Sequence, residues 1–272
     1  MPGTPVTRRV DYDQIATTYD RRYQQNDYSG VEAALIAFVG ERFDQRVLEV
    51  GCGTGHWLRL FGDRGSRVTG LDASAQMLAH AKTQAPRRAA LVQGLAERLP
   101  WTRESFDRVF CINAFHHFQD KVAFLTEAMR VLRPGGLVMT VGLDPHAGVD
   151  RWYIYEYFEN ALEIDRRRYP ASSQIREWMQ AAGFDDCVTR EIQHMSVRLT
   201  AREALEQGRL EKSATSQLSV LSDEEYGRGI DRIREAIESA EVRGESLSLG
   251  ADLRLYATFG AVPSRVNATG VV

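Results

Sequence analysis

Short hydrophobic runs and amphipathic stretches alternate through the middle of the chain, from Arg46 to about Gly142. Five runs rich in branched and aromatic residues have the length of buried strands; they are residues 46–51, 67–72, 89–94, 106–113 and 135–143. Between them, apolar residues recur at steps of three and four, the period of an amphipathic helix. Strands that alternate with helices predict a mostly parallel sheet with helices on both faces.

The segments that flank this core are predicted to be largely helical. Helical spacing or a capping box marks residues 11–25, 30–43, 149–168 and 172–184 and the segments that follow Thr200 and Ser222. A further strand is predicted over 187–200, and residues 251–262 alternate like a last strand with one polar face.

The length of 272 residues suits one large α/β domain. We predict N-terminal helices (1–45), a ligand-binding core (46–143), a helical cap with insertions (144–250), the last strand (251–262) and a loose tail (263–272).

Composition and charge exclude several classes of protein. The net charge of −3 gives no basic footprint for nucleic acid, and no run of about 18 apolar residues is present to span a membrane. The N-terminus lacks the apolar segment of a secretory signal, and the three cysteines lack metal-binding or redox spacing. We expect a cytoplasmic protein with reduced thiols, no metal, and neither a membrane nor a nucleic acid as partner. The sequence pattern does not indicate an oligomeric state.

The stretch VLEVGCGTG places Gly51, Gly53 and Gly55 directly after the first predicted strand. These glycines either turn the chain into a helix or let a ligand approach the backbone closely. A dinucleotide-binding loop would read G-x-G-x-x-G, whereas this loop reads G-x-G-x-G. Glu49 lies just before it and suits a ligand with an ammonium group.

A second carboxylate, Asp72, ends the second predicted strand. In open α/β sheets this edge binds ligands, and a carboxylate here is placed to accept hydrogen bonds from ribose hydroxyls. An amino-acid end together with a ribose describes S-adenosylmethionine better than a nicotinamide dinucleotide.

Four segments in order resemble the class I S-adenosylmethionine-dependent methyltransferases, particularly their small-molecule, quinone-methyltransferase-like branch. They are VLEVGCGTG, VTGLDASAQML, FDRVFCINAFHHF and FLTEAMRVLRPGGLVMTV, and YDQIATTYD is similar to the branch's N-terminal helix. Together with the last alternating strand, the resemblance implies a Rossmann-like, seven-stranded, mostly parallel sheet. Its last strand would be antiparallel and lie beside strand five.

The resemblance also implies site residues. Gly51, Gly53 and Gly55 would approach the methionine part of the cofactor, Glu49 would lie near its amino group, and Asp72 would hold both ribose hydroxyls. The remaining implied contacts are Tyr19, Cys52, Thr54, Ala73, Met77, Leu95, Ala96 and Asn113. Leu95 stands where relatives usually carry an aspartate that reaches the adenine amino group.

Candidates for catalysis and acceptor binding follow the fourth strand and the fifth. His116 and His117 are candidate general bases, or they cap a helix or pack structurally.

Trp152, Tyr153 and Tyr157 lie on a predicted aromatic helix, 151–163, that either covers an apolar acceptor or packs against the helices near the C-terminus. This aromatic helix and the N-terminal helix around Tyr12 and Tyr19 would close the pocket from opposite sides. The run Arg166–Arg168 is interpreted as a solvated helix end.

The favoured function is methyl transfer to a small organic acceptor that is apolar or aromatic. One alternative is methylation of nucleic acid or protein, but Asn113-Ala114-Phe115 lacks the Asn/Asp-Pro-Pro-aromatic motif used on base amino groups. The other is a non-methylating protein that binds S-adenosylmethionine. A dehydrogenase has the wrong glycine spacing.

Overall fold

The computed structural model describes residues 12–16, 19–40, 44–62 and 66–264. Three short helices precede the sheet: α1 (Tyr12–Ile15), α2 (Arg21–Gln25) and α3 (Ser29–Val39). The prediction of one helix over 11–25 is wrong, because a turn at residues 19–20 separates α1 from α2. Asp11, Thr17 and Thr18 of the predicted helix 11–25, and residues 265–272 of the predicted tail, lie outside the described residues.

The alternating core has the predicted order of strands and helices. Its elements are β1 (Arg46–Val50), α4 (Arg59–Gly62), β2 (Arg67–Asp72), α5 (Ala75–Gln84), β3 (Ala90–Gln93), β4 (Phe106–Ile112), a 3-10 turn (Phe115–His117), α6 (Lys121–Val131) and β5 (Leu132–Leu143). The Ser74 hydroxyl accepts a hydrogen bond from the Met77 amide and so caps α5. Helix α4 is a single turn.

The second half of the chain supplies the cap and three more strands. Its elements are β6 (Arg151–Trp152), α7 (Tyr153–Tyr157), α8 (Ala161–Arg168), α9 (Ser172–Ala181), β7 (Asp185–Thr200), α10 (Ala201–Glu206), α11 (Ser216–Ser219), α12 (Asp223–Val242) and β8 (Ser248–Ala261). Both predicted capping boxes are present, at Thr200 with Glu203 and at Ser222 with Glu225. The longest of these helices, α12, is heavily charged, and within the described ranges no helix could cross a bilayer.

The predicted aromatic helix 151–163 is wrong as a continuous element. Residues 151–152 form a short strand against β8, and the helix that follows ends at Tyr157. Asn160 adopts a left-handed conformation (φ 62°), which breaks the helical path before α8 begins. The aromatic side chains therefore lie on two elements instead of one.

The sheet has eight strands in the order β3-β2-β1-β4-β5-β8-β6, with β7 also paired to β8. Strands β1 to β5 are parallel, and β8 runs antiparallel beside β5, as predicted. The extra strand relative to the seven predicted is the two-residue β6. The strand order reverses between β1 and β4, and in open sheets a crevice for ligands forms at such a point.

The three largest apolar clusters among the described residues hold these layers together. Two of them cover the two faces of the sheet, with Leu48 in one and Val47 in the other. The third joins the aromatic segment to the cap and contains Ile154, Phe158 and Ile233. The packing interpretation of the aromatic segment is therefore correct for Ile154 and Phe158.

Candidate active site

The loop after β1 needs its three glycines for two different reasons. Gly51, Gly53 and Gly55 all have positive φ angles, of 75°, 51° and 78°, which strain other residues. A Cβ on Gly51 would lie 2.5 Å from the Cβ of Ala114, and one on Gly55 would lie 3.2 Å from that of Ala85. Only Gly53 has open space beside it, with Tyr19 Cε1 as its nearest neighbour at 3.7 Å. Turning the chain explains Gly51 and Gly55, and room for a ligand explains Gly53.

A cavity of about 660 Å³ lies in front of this loop, and we call it the first cavity. Most predicted cofactor and catalytic residues line it: Tyr19, Gly51, Gly53, Asp72, Ala73, Met77, Leu95, Ala96, Asn113, His116 and His117. Glu49, Cys52, Thr54 and Gly55 do not line it. Leu95 is 51% exposed and offers the cavity an apolar surface in place of a carboxylate.

Asp72 ties the glycine loop to the start of α5. Its Oδ2 accepts the Gly53 amide at 2.8 Å and its Oδ1 accepts the Ser74 amide at 2.9 Å. Burial raises the pKa of Asp72. Each carboxylate oxygen can accept a second hydrogen bond, so Asp72 suits a ligand with two neighbouring hydroxyl groups.

Glu49 is a buried carboxylate, only 1% exposed, and its Oε2 has no hydrogen-bond partner among the described residues. Burial and the nearby charge of Asp72 raise the pKa of Glu49 well above its usual range. An unpaired carboxylate in this position is costly and is stabilised when a cation binds close by. The site thus fits a ligand that carries a positive charge and a ribose, which are both parts of S-adenosylmethionine.

A second cavity of about 150 Å³ adjoins the first. Both cavities are lined by Tyr12, Asn113, His116 and His117, so these four residues mark the junction between them. Trp152 and Tyr153 line the second cavity, whereas Tyr157 lines neither and is half-buried in the cap. The structure therefore brings together two of the three predicted acceptor residues.

The two histidines at the junction are held by aromatic neighbours. His116 stacks on Tyr169 with ring centres 3.8 Å apart, and its Nε2 has no partner within the described ranges. His117 Nε2 is hydrogen-bonded to the Tyr12 hydroxyl. Burial lowers the pKa of His116 well below its usual range. Burial, together with the cations Arg168 and Arg22, lowers the pKa of His117 to about 3. Both imidazoles are therefore neutral near pH 7.

His117 should make the fold sensitive to acid. Its folded-state pKa of about 3 lies below the ordinary value of about 6.5 that it regains on unfolding. Between these values the unfolded chain binds more protons, so the free energy of unfolding falls as the pH drops from about 6.5. Between about pH 7 and about pH 5 this proton uptake should lower the free energy of unfolding of the wild type by about 1–2 kcal/mol. A His117→Gln variant should not show this loss.

Urea unfolding of the wild type and of His117→Gln at about pH 7 and about pH 5 measures this contribution. The same change at His80, on α5, serves as the control. If the free energies of unfolding of the wild type and His117→Gln differ by the same amount at both pH values, the low pKa of His117 is refuted.

Sequence reasoning missed part of the site. Arg168 was interpreted as a solvated helix end, but its side chain is only 10% exposed and its Nη1 lies 3.1 Å from the buried Asp165. It lines the first cavity, and its Nη2 has no partner among the described residues. Arg22 and the walls formed by β7 and β8 were also missed. The alternation of Met195, Val197 and Leu199 indicates that the strand has one apolar face. It does not indicate that this face lines a cavity.

Comparison with known proteins agrees with this geometry. A methyltransferase-domain family model matches residues 48–140. The chain is 32% identical over 164 residues to a demethylmenaquinone methyltransferase of Staphylococcus aureus (strain MRSA252), covering 58% of this chain and 68% of that protein. The chain belongs to the S-adenosylmethionine-dependent methyltransferase family.

Further relatives support the assignment. The uncharacterized methyltransferase YcgJ of Bacillus subtilis is 29% identical over 231 residues, covering 80% of this chain and 88% of that protein. The bifunctional biotin biosynthesis protein BioHC of Cellvibrio japonicus is 26% identical over 188 residues, covering 64% of this chain and 37% of that protein. The solved Haemonchus contortus phosphoethanolamine N-methyltransferase 2, in complex with S-adenosyl-L-methionine, shares the fold. The two structures superpose with a TM-score of 0.59 and share 22% sequence identity. The match covers 93% of this chain and 57% of that chain. Membership of the family makes this methyltransferase an enzyme whose cofactor is S-adenosylmethionine.

Proposed function

We propose that this methyltransferase methylates a small organic acceptor whose apolar or aromatic part occupies the second cavity. The observation that carries the proposal is the junction, where Tyr12, Asn113, His116 and His117 line both cavities. An acceptor in the second cavity would meet the cofactor there, and proximity of that kind is a main source of rate enhancement.

The cofactor supplies an electrophilic methyl group on a positively charged sulfur. We propose that Asp72 binds the ribose hydroxyls, that Gly53 leaves room for the amino-acid end, and that Glu49 balances positive charge from behind the loop. Ala73, Met77, Leu95 and Ala96 would surround the adenine. Tyr12 and Tyr19 would cover the first cavity and exclude water from the reactive group.

The histidines are proposed to position the acceptor at the junction. A general base works best when its pKa lies near the operating pH, and the pKa of about 3 for His117 is far below it. A base role for His116 or His117 stays a prediction, and the low pKa values weigh against it. The neutral imidazole of His117, fixed by Tyr12, would still contact the acceptor.

Incubation with S-adenosylmethionine that carries an isotopically labelled methyl group tests the proposed function. Mass spectrometry of a metabolite extract treated with the enzyme should show a small molecule that gains the label. Labelling of protein or nucleic acid alone, with no labelled small molecule, would contradict the proposal.

Tyr153 should matter for the acceptor and not for the cofactor. Its ring lines the second cavity only, and its hydroxyl donates to the Arg209 carbonyl oxygen at 3.3 Å. Tyr153→Ala should lower kcat/KM for the acceptor by about tenfold or more, because an aromatic wall is lost, with cofactor affinity within about threefold of wild type.

Tyr157→Ala is the matched control, since Tyr157 lies on the same short helix but borders neither cavity. Steady-state kinetics and calorimetry measure the two effects. Equal losses in the two variants would show that the aromatic residues serve packing alone.

A further inference from the structure

The second cavity carries positive charge without an acid to balance it. Arg22 and Arg209 line it, and no described residue of its lining is an aspartate or a glutamate. Within the described ranges no carboxylate forms an ion pair with either arginine. A partly buried cation without a counter-ion is unfavourable, so this cavity is prepared for an anionic ligand.

The two arginines differ in how much of each guanidinium is already occupied. Arg209 donates to the Gln207 side chain at 2.9 Å, to the Asn26 side chain at 3.3 Å and to the Gln25 carbonyl at 2.8 Å. All three of its nitrogens are thus occupied, and two of them hold the C-terminal end of α2 against the segment after α10.

The guanidinium of Arg22 donates one hydrogen bond to the described residues, from Nε to the Tyr19 carbonyl at 3.1 Å. Its guanidinium carbon lies 3.7 Å from the centre of the Tyr19 ring, which fixes the plane of the group. The two terminal nitrogens are left to bind a ligand, and a planar guanidinium matches two oxygens of an oxyanion.

Arg22 lies close to the junction. Its charge, with that of Arg168, contributes to the low pKa of His117, which lines both cavities. Arg22 lines the second cavity and not the first. An anion bound to it would lie on the acceptor side of the junction.

One wall of the second cavity is apolar. Alternate residues of β7 and β8 form it: Met195, Val197, Leu199, Leu249, Leu253 and Leu255. The volume of about 150 Å³ is similar to that of an apolar cavity of about 150 Å³ that binds benzene. The body of the ligand is thus about the size of one ring.

We propose that the acceptor of this methyltransferase is an organic oxyanion on an apolar body of about one ring. Arg22 binds the charged oxygens, and the strands β7 and β8 hold the apolar body. This inference rests on the proposed function, because it assigns a chemical class to the acceptor of the same site.

Benzoate and its uncharged isostere benzamide test the proposal as probes. Ligand-observed NMR titrations are carried out on the enzyme saturated with S-adenosylhomocysteine, whose own affinity is measured first by calorimetry. In the wild type, benzoate should bind about tenfold more tightly than benzamide, as expected for one added charge-assisted contact.

Arg22→Met should bring the affinities of benzoate and benzamide to within about twofold, whereas Arg22→Lys should keep most of the preference. Arg103→Met, an exposed arginine that lines neither cavity, should behave like the wild type. S-adenosylhomocysteine affinity should stay within about threefold in all variants.

Several results would overturn the inference. One is equal binding of benzoate and benzamide to the wild-type enzyme, a comparison that needs no variant. Another is a preference for benzoate that persists in Arg22→Met. A third is a large loss of S-adenosylhomocysteine affinity in Arg22→Met, which would assign Arg22 to the carboxylate of the cofactor. Failure of the proposed function would appear separately, as an enzyme that binds S-adenosylhomocysteine but labels no small molecule.

Discussion

An Asp72→Ala variant should bind S-adenosylmethionine about 100- to 10,000-fold more weakly than the wild type. The variant would lose two charge-assisted hydrogen bonds to the ribose, each worth about 1.5–3 kcal/mol. It would also lose the contacts that Asp72 makes with the amides of Gly53 and Ser74, which hold the loop in place. Calorimetric titration measures the loss.

Two further variants separate the ligand contact from the loop contact. Asp72→Asn keeps one carbonyl oxygen that can accept an amide, so it should retain more of the loop geometry and show a smaller loss. Glu238→Ala, at an exposed position of α12, controls for the loss of a carboxylate as such. Unchanged cofactor affinity in a folded Asp72→Ala protein would disprove the assignment of the ribose site.

Gly53→Val should abolish measurable cofactor binding while the sheet remains folded. Valine at a φ of 51° is strained by about 1–3 kcal/mol, and its methyl groups would project into the first cavity. Gly53→Ala should give a smaller loss, since its Cβ would meet Tyr19 at 3.7 Å, an ordinary contact distance.

Other glycines of the chain provide matched controls for Gly53→Val. Gly148→Val introduces similar strain at a φ of 69° in open space, so it reproduces the backbone cost without filling the cavity. Gly55→Ala perturbs the same loop on the side that faces α5, where its Cβ would lie 3.3 Å from the Cβ of Ala81.

Both controls should lower the unfolding temperature but leave cofactor affinity much closer to the wild-type value. Thermal unfolding and calorimetry on the wild type and the four variants distinguish backbone strain from obstruction of the cavity. If Gly53→Val binds the cofactor with wild-type affinity, the bound cofactor does not lie against Gly53.

The first cavity was predictable from the sequence because its residues lie at the ends of consecutive strands. Gly53 follows β1, Asp72 ends β2, and Asn113 follows β4. Local periodicity identifies each strand, and parallel strands bring their carboxyl ends to one edge of the sheet. The position of Asp72 was predicted on this basis, whereas the antiparallel strand beside β5 was predicted from its alternating pattern together with the family resemblance.

The sequence could not separate residues of one motif by role. Gly53 and Gly55 look equivalent in the chain, yet one borders the cavity and the other borders α5. Arg166 and Arg168 are also neighbours, but only Arg168 is buried against Asp165. Such differences depend on which neighbouring element covers each residue, and that information is absent from local patterns.

The sequence by itself determined the cofactor class, the order of the core strands and the residues that follow them. The tertiary structure alone decided the acceptor side of the site. It joins Tyr12 to His117 across 105 positions and brings Arg22 into one cavity with Met195 and Leu253. The physical reason is that the motif residues are placed by backbone pairing within one sheet edge, whereas the second cavity forms only when α2, the 3-10 turn, β7 and β8 pack together.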